Sequence, residues 1–147
     1  MRIAAIFLLS AVGIGSANAD EPKKNQEKST NELLGTWEAK KSETSNGTFP
    51  FTAHWEFKSD IFRVLVKSLE RAKWKYRLNS KKNPKEIDLT PPGGKTVKGI
   101  YKVEKDTLTI CYVDTSVDGA EKKDRPTSFD PKKRDDVKVI TFVRKKR

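Results

Sequence analysis

From Pro84 to Tyr112 the chain reads PKEIDLTPPGGKTVKGIYKVEKDTLTICY, and its apolar residues recur at every second position. Ile87 and Leu89 alternate with Glu86 and Asp88, the stretch from Val97 to Val103 resumes the rhythm, and Thr107 to Val113 repeats it. A period of two sends successive side chains to opposite faces of an extended strand, whereas a helix needs spacings of three and four. Between the runs, Thr90-Pro91-Pro92-Gly93-Gly94 removes ladder donors and opens positive-φ backbone, and Glu104-Lys105-Asp106 reverses the chain. Three short strands with tight reversals define an antiparallel meander.

The remaining segments extend the same pattern. Gly35-Thr36-Trp37-Glu38-Ala39-Lys40-Lys41 starts a first strand, and Thr44 to Pro50 reads as a turn segment around Asn46-Gly47. Ala53, Trp55 and Phe57 then share one face of a strand, with His54, Glu56 and Lys58 on the other. Phe62, Val64 and Val66 alternate within Ile61 to Lys67. In Lys73 to Leu78 the cations Lys73, Lys75 and Arg77 oppose Trp74, Tyr76 and Leu78. Val137 to Val143 is the last strand. About eight short antiparallel strands favour an all-β, up-and-down barrel, because closure removes exposed edges; a two-sheet sandwich is the competing arrangement. Ser29 and Glu32 suit a capping box for one short N-terminal helical turn carrying Leu33 and Leu34, which Gly35 ends. A turn that short is not stable alone and is expected to plug something. Asp114 to Asp136 is the longest irregular stretch, and Arg125 to Phe129 within it is expected to lie across the sheet.

The first 19 residues read as a signal peptide. Arg2 supplies the positive charge, Ile3 to Ile14 is mostly apolar, and Ala17-Asn18-Ala19 gives a cleavage pattern. Residues 20–29 are a charged, flexible leader without apolar residues to bury, and residues 30–147 form the domain. Export to the periplasm or the extracellular space follows. Losing Arg2 leaves a net charge of +10 on 128 residues, from +11 for the whole chain. The one cysteine, Cys111, has no partner for an internal disulfide, so packing must hold the domain together.

Little in the sequence carries chemistry. His54 is the one histidine, and no cluster of metal-ligating residues surrounds it, so no metal or other cofactor is expected. Cys111 reads as a small buried hydrophobe. Asp135-Asp136 is an adjacent pair on a loop, where neighbours hydrate rather than cooperate. No phosphate loop, nucleophile elbow or zinc-protease pattern is present, and an enzyme is not expected. The basic excess is concentrated at the C-terminus, where Lys132 to Arg147 holds eight cations against Asp135 and Asp136. Alternation puts Trp74 and Tyr76 on the face opposite Lys73, Lys75 and Arg77. Rings and cations therefore form no shared stacking platform, and with export this speaks against nucleic acid as a partner. The inner-face rings Trp55, Phe57, Trp74, Tyr76 and Tyr101 are the candidate ligand-lining set, in a barrel just wide enough for side chains or one small ligand.

Leu34-Gly35-Thr36-Trp37 before a strand resembles the Gly-x-Trp start of lipocalins and other calycins. Ile87-Asp88-Leu89-Thr90, Gly99-Ile100-Tyr101, Asp106 to Cys111 and Arg125-Pro126-Thr127 resemble, in order, the uncharacterised lipocalin-like domain abundant in planctomycete proteomes. The resemblance spans Asn31 to Arg147. It implies a lipocalin-like barrel in which Gly35 and Trp37 sit near the closed end, with Arg144 or Lys145 across the indole. That family brings no established activity. The expected function is a monomeric, non-catalytic binding module for a small, partly apolar ligand. The alternative is a basic envelope domain that holds acidic polymers or anionic headgroups on its surface.

Overall fold

A computed structural model describes residues 32–146. The signal peptide, the leader and the Ser29 cap lie outside the described residues. Residues 32–33 are helical, and nine strands follow: β1 (Gly35–Thr44), β2 (Gly47–Pro50), β3 (His54–Phe57), β4 (Ile61–Val66), β5 (Leu69–Asn79), β6 (Lys85–Thr90), β7 (Val97–Glu104), β8 (Thr107–Val113) and β9 (Val137–Arg144).

All are antiparallel and nearly all join sequence neighbours, in the order β2-β1-β3-β4-β5-β6-β7-β8-β9. β9 pairs back onto β1, so β1 and β3–β9 close an eight-stranded up-and-down barrel. β2 stands outside the ring, paired only with the far half of β1 through the register Lys41↔Pro50 to Thr44↔Gly47. Gly47 to Pro50, read from sequence as turn, is therefore strand. The reversal is confined to Ser45 and Asn46, because two residues suffice for a tight hairpin.

Two irregularities shape the ring. Between Ala39 and Lys41 the β1–β9 register slips, leaving Lys40 as the extra residue of a bulge. Trp37 and Ala39 face inward before it, and Ser42 faces inward after it, opposite Ile140. A second slip between Val64 and Leu65 leaves Arg71 extra in β5. The β4–β5 turn has no glycine: Lys67 and Ser68 both adopt positive φ, 53° and 68°. Primed turns match the twist of hairpin strands, and here packing of the long strands imposes that geometry on residues that do not favour it.

One apolar cluster fills the ring. It includes Trp37, Trp55, Phe57, Phe62, Tyr76, Ile87, Leu89, Tyr101, Leu108, Ile110, Ile140 and Phe142, all buried. A smaller cluster of Ile100, Cys111, Val137 and Val139 lies on the outer wall of β7–β9, with Phe129 packed on it. The strap from Asp114 to Asp136 packs Ala120 against the interior cluster and then crosses the outside of the barrel through Arg125 and Phe129. Its base closes through a hydrogen bond from Asp114 N to Asp136 O (2.9 Å). Arg125 fixes its middle, donating from Nη1 to Gly99 O (2.8 Å) and pairing through Nη2 with Asp88 (2.9 Å). On the inner face Gly99 leaves room for its β8 partner, since a Cβ there would come within 2.9 Å of Tyr112 Cβ and 2.8 Å of Cys111 O.

Candidate functional site

Alternation along β3, β4 and β5 sends Trp55, Phe57, Phe62, Trp74 and Tyr76 into the barrel, where they pack as one layer. Trp55 stacks on Phe62 (centroids 4.5 Å apart, planes 12°) and tilts against Phe142 (4.9 Å). Phe57 meets Tyr76 edge-on at 5.2 Å, and Trp74 lies 5.7 Å from Phe62. Tyr76 donates its hydroxyl to Lys58 O, and burial pushes its pKa up. Tyr101 is fully buried further round the ring, with Lys85 Nζ 5.9 Å from its centroid. Tilted and stacked pairs of this kind are worth about 0.5–1.5 kcal/mol each beyond their area burial. Phe62 and Phe142 belong to this layer although the sequence set omitted them. Their signal was available: each keeps the period-two phase of its own strand, Phe62 with Val64 and Phe142 with Ile140.

One end of the ring is plugged. Leu33 is fully buried, and Trp37 Nε1 donates to its carbonyl at 2.9 Å. Glu32, rather than only capping a helix, forms an ion pair with Lys85 (3.1 Å), which ties the turn to β6. Arg144 lies over the Trp37 indole, its Cζ 4.1 Å from the ring centroid, and donates to Leu34 O and Glu32 O at 3.2 Å each. Gly35 turns the chain from the plug into β1 at φ 115°, a conformation that side-chain-bearing residues rarely adopt.

The opposite end is formed by the loops at residues 45–46, 51–53, 67–68, 91–96 and 114–136. On the β1 and β3–β5 side of this end the inward side chains are smaller (Ala39, Ala53, Val64, Val66 and Ala72), whereas on the β6–β8 side Leu89, Val97, Tyr112 and Ala120 are buried. Val64, Val66, Phe51 and Trp74 pack against the core yet stay only half-buried. Solvent reaches apolar, inward-pointing groups at this end. Deeper in, on the rung opposite Trp37, Trp55 Nε1 is buried and without a hydrogen-bond partner among the described residues.

The remaining candidates are scattered. His54 sits on the outer wall, its Nε2 3.4 Å from Glu38. Cys111 is also on the outer wall, but under the strap, and β1 and β9 separate its strand from that of His54. Burial pushes its thiol pKa up to about 12. The two groups are not brought together. Asp136 pairs through both oxygens with Arg134 (2.8 Å each), which holds its carboxyl below the usual range; Asp135 remains exposed. No group of three or more His, Cys, Asp and Glu placed to hold a metal occurs among the described residues. No helix among them is long and apolar enough to cross a membrane. Lys73, Lys75 and Arg77 are exposed on β5. Beside the plug, Lys58, Arg144, Lys145 and Lys146 line a groove of about 730 Å³ whose one carboxylate, Glu56, is already paired with Arg63.

Fold and site define a closed β-barrel with a plugged end and a loop end. No known protein family, curated protein or solved structure matches the chain.

Proposed function

We propose that this chain is an exported, lipocalin-like, non-catalytic binding module that takes a small, partly apolar ligand through the loop end of the barrel. The observation that carries this reading is the incomplete burial of inward-facing Val64, Val66 and Trp74. Leaving such groups wet costs roughly 25 cal/mol per Å² of apolar surface, and an apolar guest recovers it. Trp74 and Trp55 line the path, with Phe57, Tyr76 and Tyr101 closer to the plug. The test uses the neutral fluorophore N-phenylnaphthylamine. Saturable binding of one equivalent, abolished when Ala72→Phe fills the interior, supports the reading. Weak unsaturable binding that Ala72→Phe leaves unchanged overturns it.

A second reading is favoured by a separate observation, the groove lined by Lys58, Arg144, Lys145 and Lys146. In this reading the protein holds acidic envelope polymers or anionic headgroups on its outside. Exposed cations attract polyanions through a field that salt screens within about 8 Å at physiological ionic strength. Binding to alginate that weakens steeply with salt, and is lost in Lys58→Gln/Lys145→Gln/Lys146→Gln, supports it; affinity indifferent to salt removes it.

A further inference from the structure

Two tryptophans face each other across the β1–β3 ladder, Trp37 and Trp55, and their indole N–H groups meet different fates. Trp37 Nε1 donates to Leu33 O at 2.9 Å. Trp55 is 4% exposed, and its Nε1 has no hydrogen-bond partner among the described residues. Tyr76, in the same layer, has found Lys58 O. A buried donor left unmade forfeits its hydration, and in native proteins such a group calls for a missing acceptor.

The surroundings say what kind of acceptor. Trp55 is enclosed by Phe57, Phe62 and Phe142, by Trp37, and by Val64 as its β4 partner. Toward the loop end, Ala39, Ala53 and Ala72 occupy neighbouring inward positions, two residues from Trp37, Trp55 and Trp74 in turn. Those are small groups beside the aromatic layer of β3–β5, while aliphatic Ile87, Leu89, Leu108, Ile110 and Ile140 fill the other side of the ring. The charged side chains that alternation sends inward lie at the two ends. Lys85 and Arg144 belong to the plug, and Lys138, 3.9 Å from Asp114, belongs to the loop end. Among the described residues no cation stacks on the Trp55 indole. A carboxylate placed there would be a buried, unpaired charge, which is strongly disfavoured, whereas a neutral oxygen meets a donor of matching strength.

We propose that the interior ligand carries an uncharged oxygen acceptor, a ketone, ester or ether, which accepts a hydrogen bond from Trp55 Nε1 while its apolar part lies against Val64, Trp74 and the alanines. This rests on the binding-module reading above and deepens it. The distinguishing experiment compares acetophenone with α-methylstyrene, the same shape with a methylene in place of the carbonyl oxygen. Binding is measured by calorimetry, and the Trp55 indole resonance by nitrogen-15 NMR. The expected result is acetophenone binding about fivefold more tightly, the net worth of one neutral hydrogen bond, with a downfield shift of the indole proton that α-methylstyrene does not cause. In Trp55→Phe the two probes bind alike. Equal affinities in the unaltered protein with an unmoved indole resonance overturn the acceptor proposal while leaving the binding module standing. Failure of both probes to bind overturns both. Because the resonance is read in the unaltered protein, the outcome does not depend on Trp55→Phe folding.

Discussion

The two ends of this barrel are made from the same strands and reach opposite outcomes. At the plugged end polar groups are used up: Trp37 Nε1 on Leu33 O, Arg144 on two carbonyls, and Glu32 on Lys85. At the loop end apolar groups are left wet, and between the ends, on the rung opposite Trp37, the Trp55 indole donor has no partner among the described residues. Closing a ring of strands therefore does not by itself complete a core. Completion at one end comes from a segment outside the ring, the turn that carries Leu33.

The sharpest way to break this comparison is Trp37→Ala. It should cost about 3–5 kcal/mol in urea unfolding, because it empties the plugged end where nothing can collapse. A loss under about 1 kcal/mol would show that the plug is ornamental. Arg144→Ala should cost about 1–2 kcal/mol, from the cation–π contact and the uncapped carbonyls of Glu32 and Leu34. The same measurement on Arg144→Lys should recover only part of it, since an ammonium lacks the planar fork. Val66→Thr at the loop end should change stability by about 0.5 kcal/mol or less, in keeping with a site that solvent already reaches. A cost comparable to that of Arg144→Ala would mean the loop end is as closed as the plug.

The smallest effect concerns the wall between the ends. Burial raises the Cys111 thiol from 9.0 to about 12, so the folded protein holds this proton where the unfolded chain releases it. The stabilisation is full below pH 9 and declines as pH rises toward 12. Native Cys111 should react with a thiol reagent at pH 8 only on unfolding, and Phe129→Ala should speed that reaction by loosening the strap. Fast labelling of the unaltered protein would show that the strap does not seal the wall.

The period-two alternation from Ile87 to Tyr112 announced the meander, and the Asn46-Gly47 dipeptide announced the first hairpin. Rhythm of this kind survives in sequence because one buried face demands it at every second residue. The β4–β5 hairpin escaped because Lys67 and Ser68 do not favour the positive φ that both adopt there, so the pair does not mark a primed turn. Likewise, Gly47 to Pro50 looked like turn because its composition is that of loops, although its backbone pairs with β1. For the site, phase alone put Trp55, Phe57, Trp74, Tyr76 and Tyr101 inward. Trp37 finds its acceptor only four residues back, on Leu33 O, whereas the surroundings of Trp55 are built by strands as far apart in the chain as β3 and β9, so its want of an acceptor could not be read from its own neighbours.

The ribbon that β2 adds to β1 has a quieter consequence. In the described ring each of the eight barrel strands is flanked on both sides, so the outer border of β2 is where a strand from another copy would add. That border is four residues long, fully exposed, and finishes at Pro50, which offers no amide hydrogen. The molecule thus carries its one template for runaway stacking, among the described strands, in a form too brief to extend.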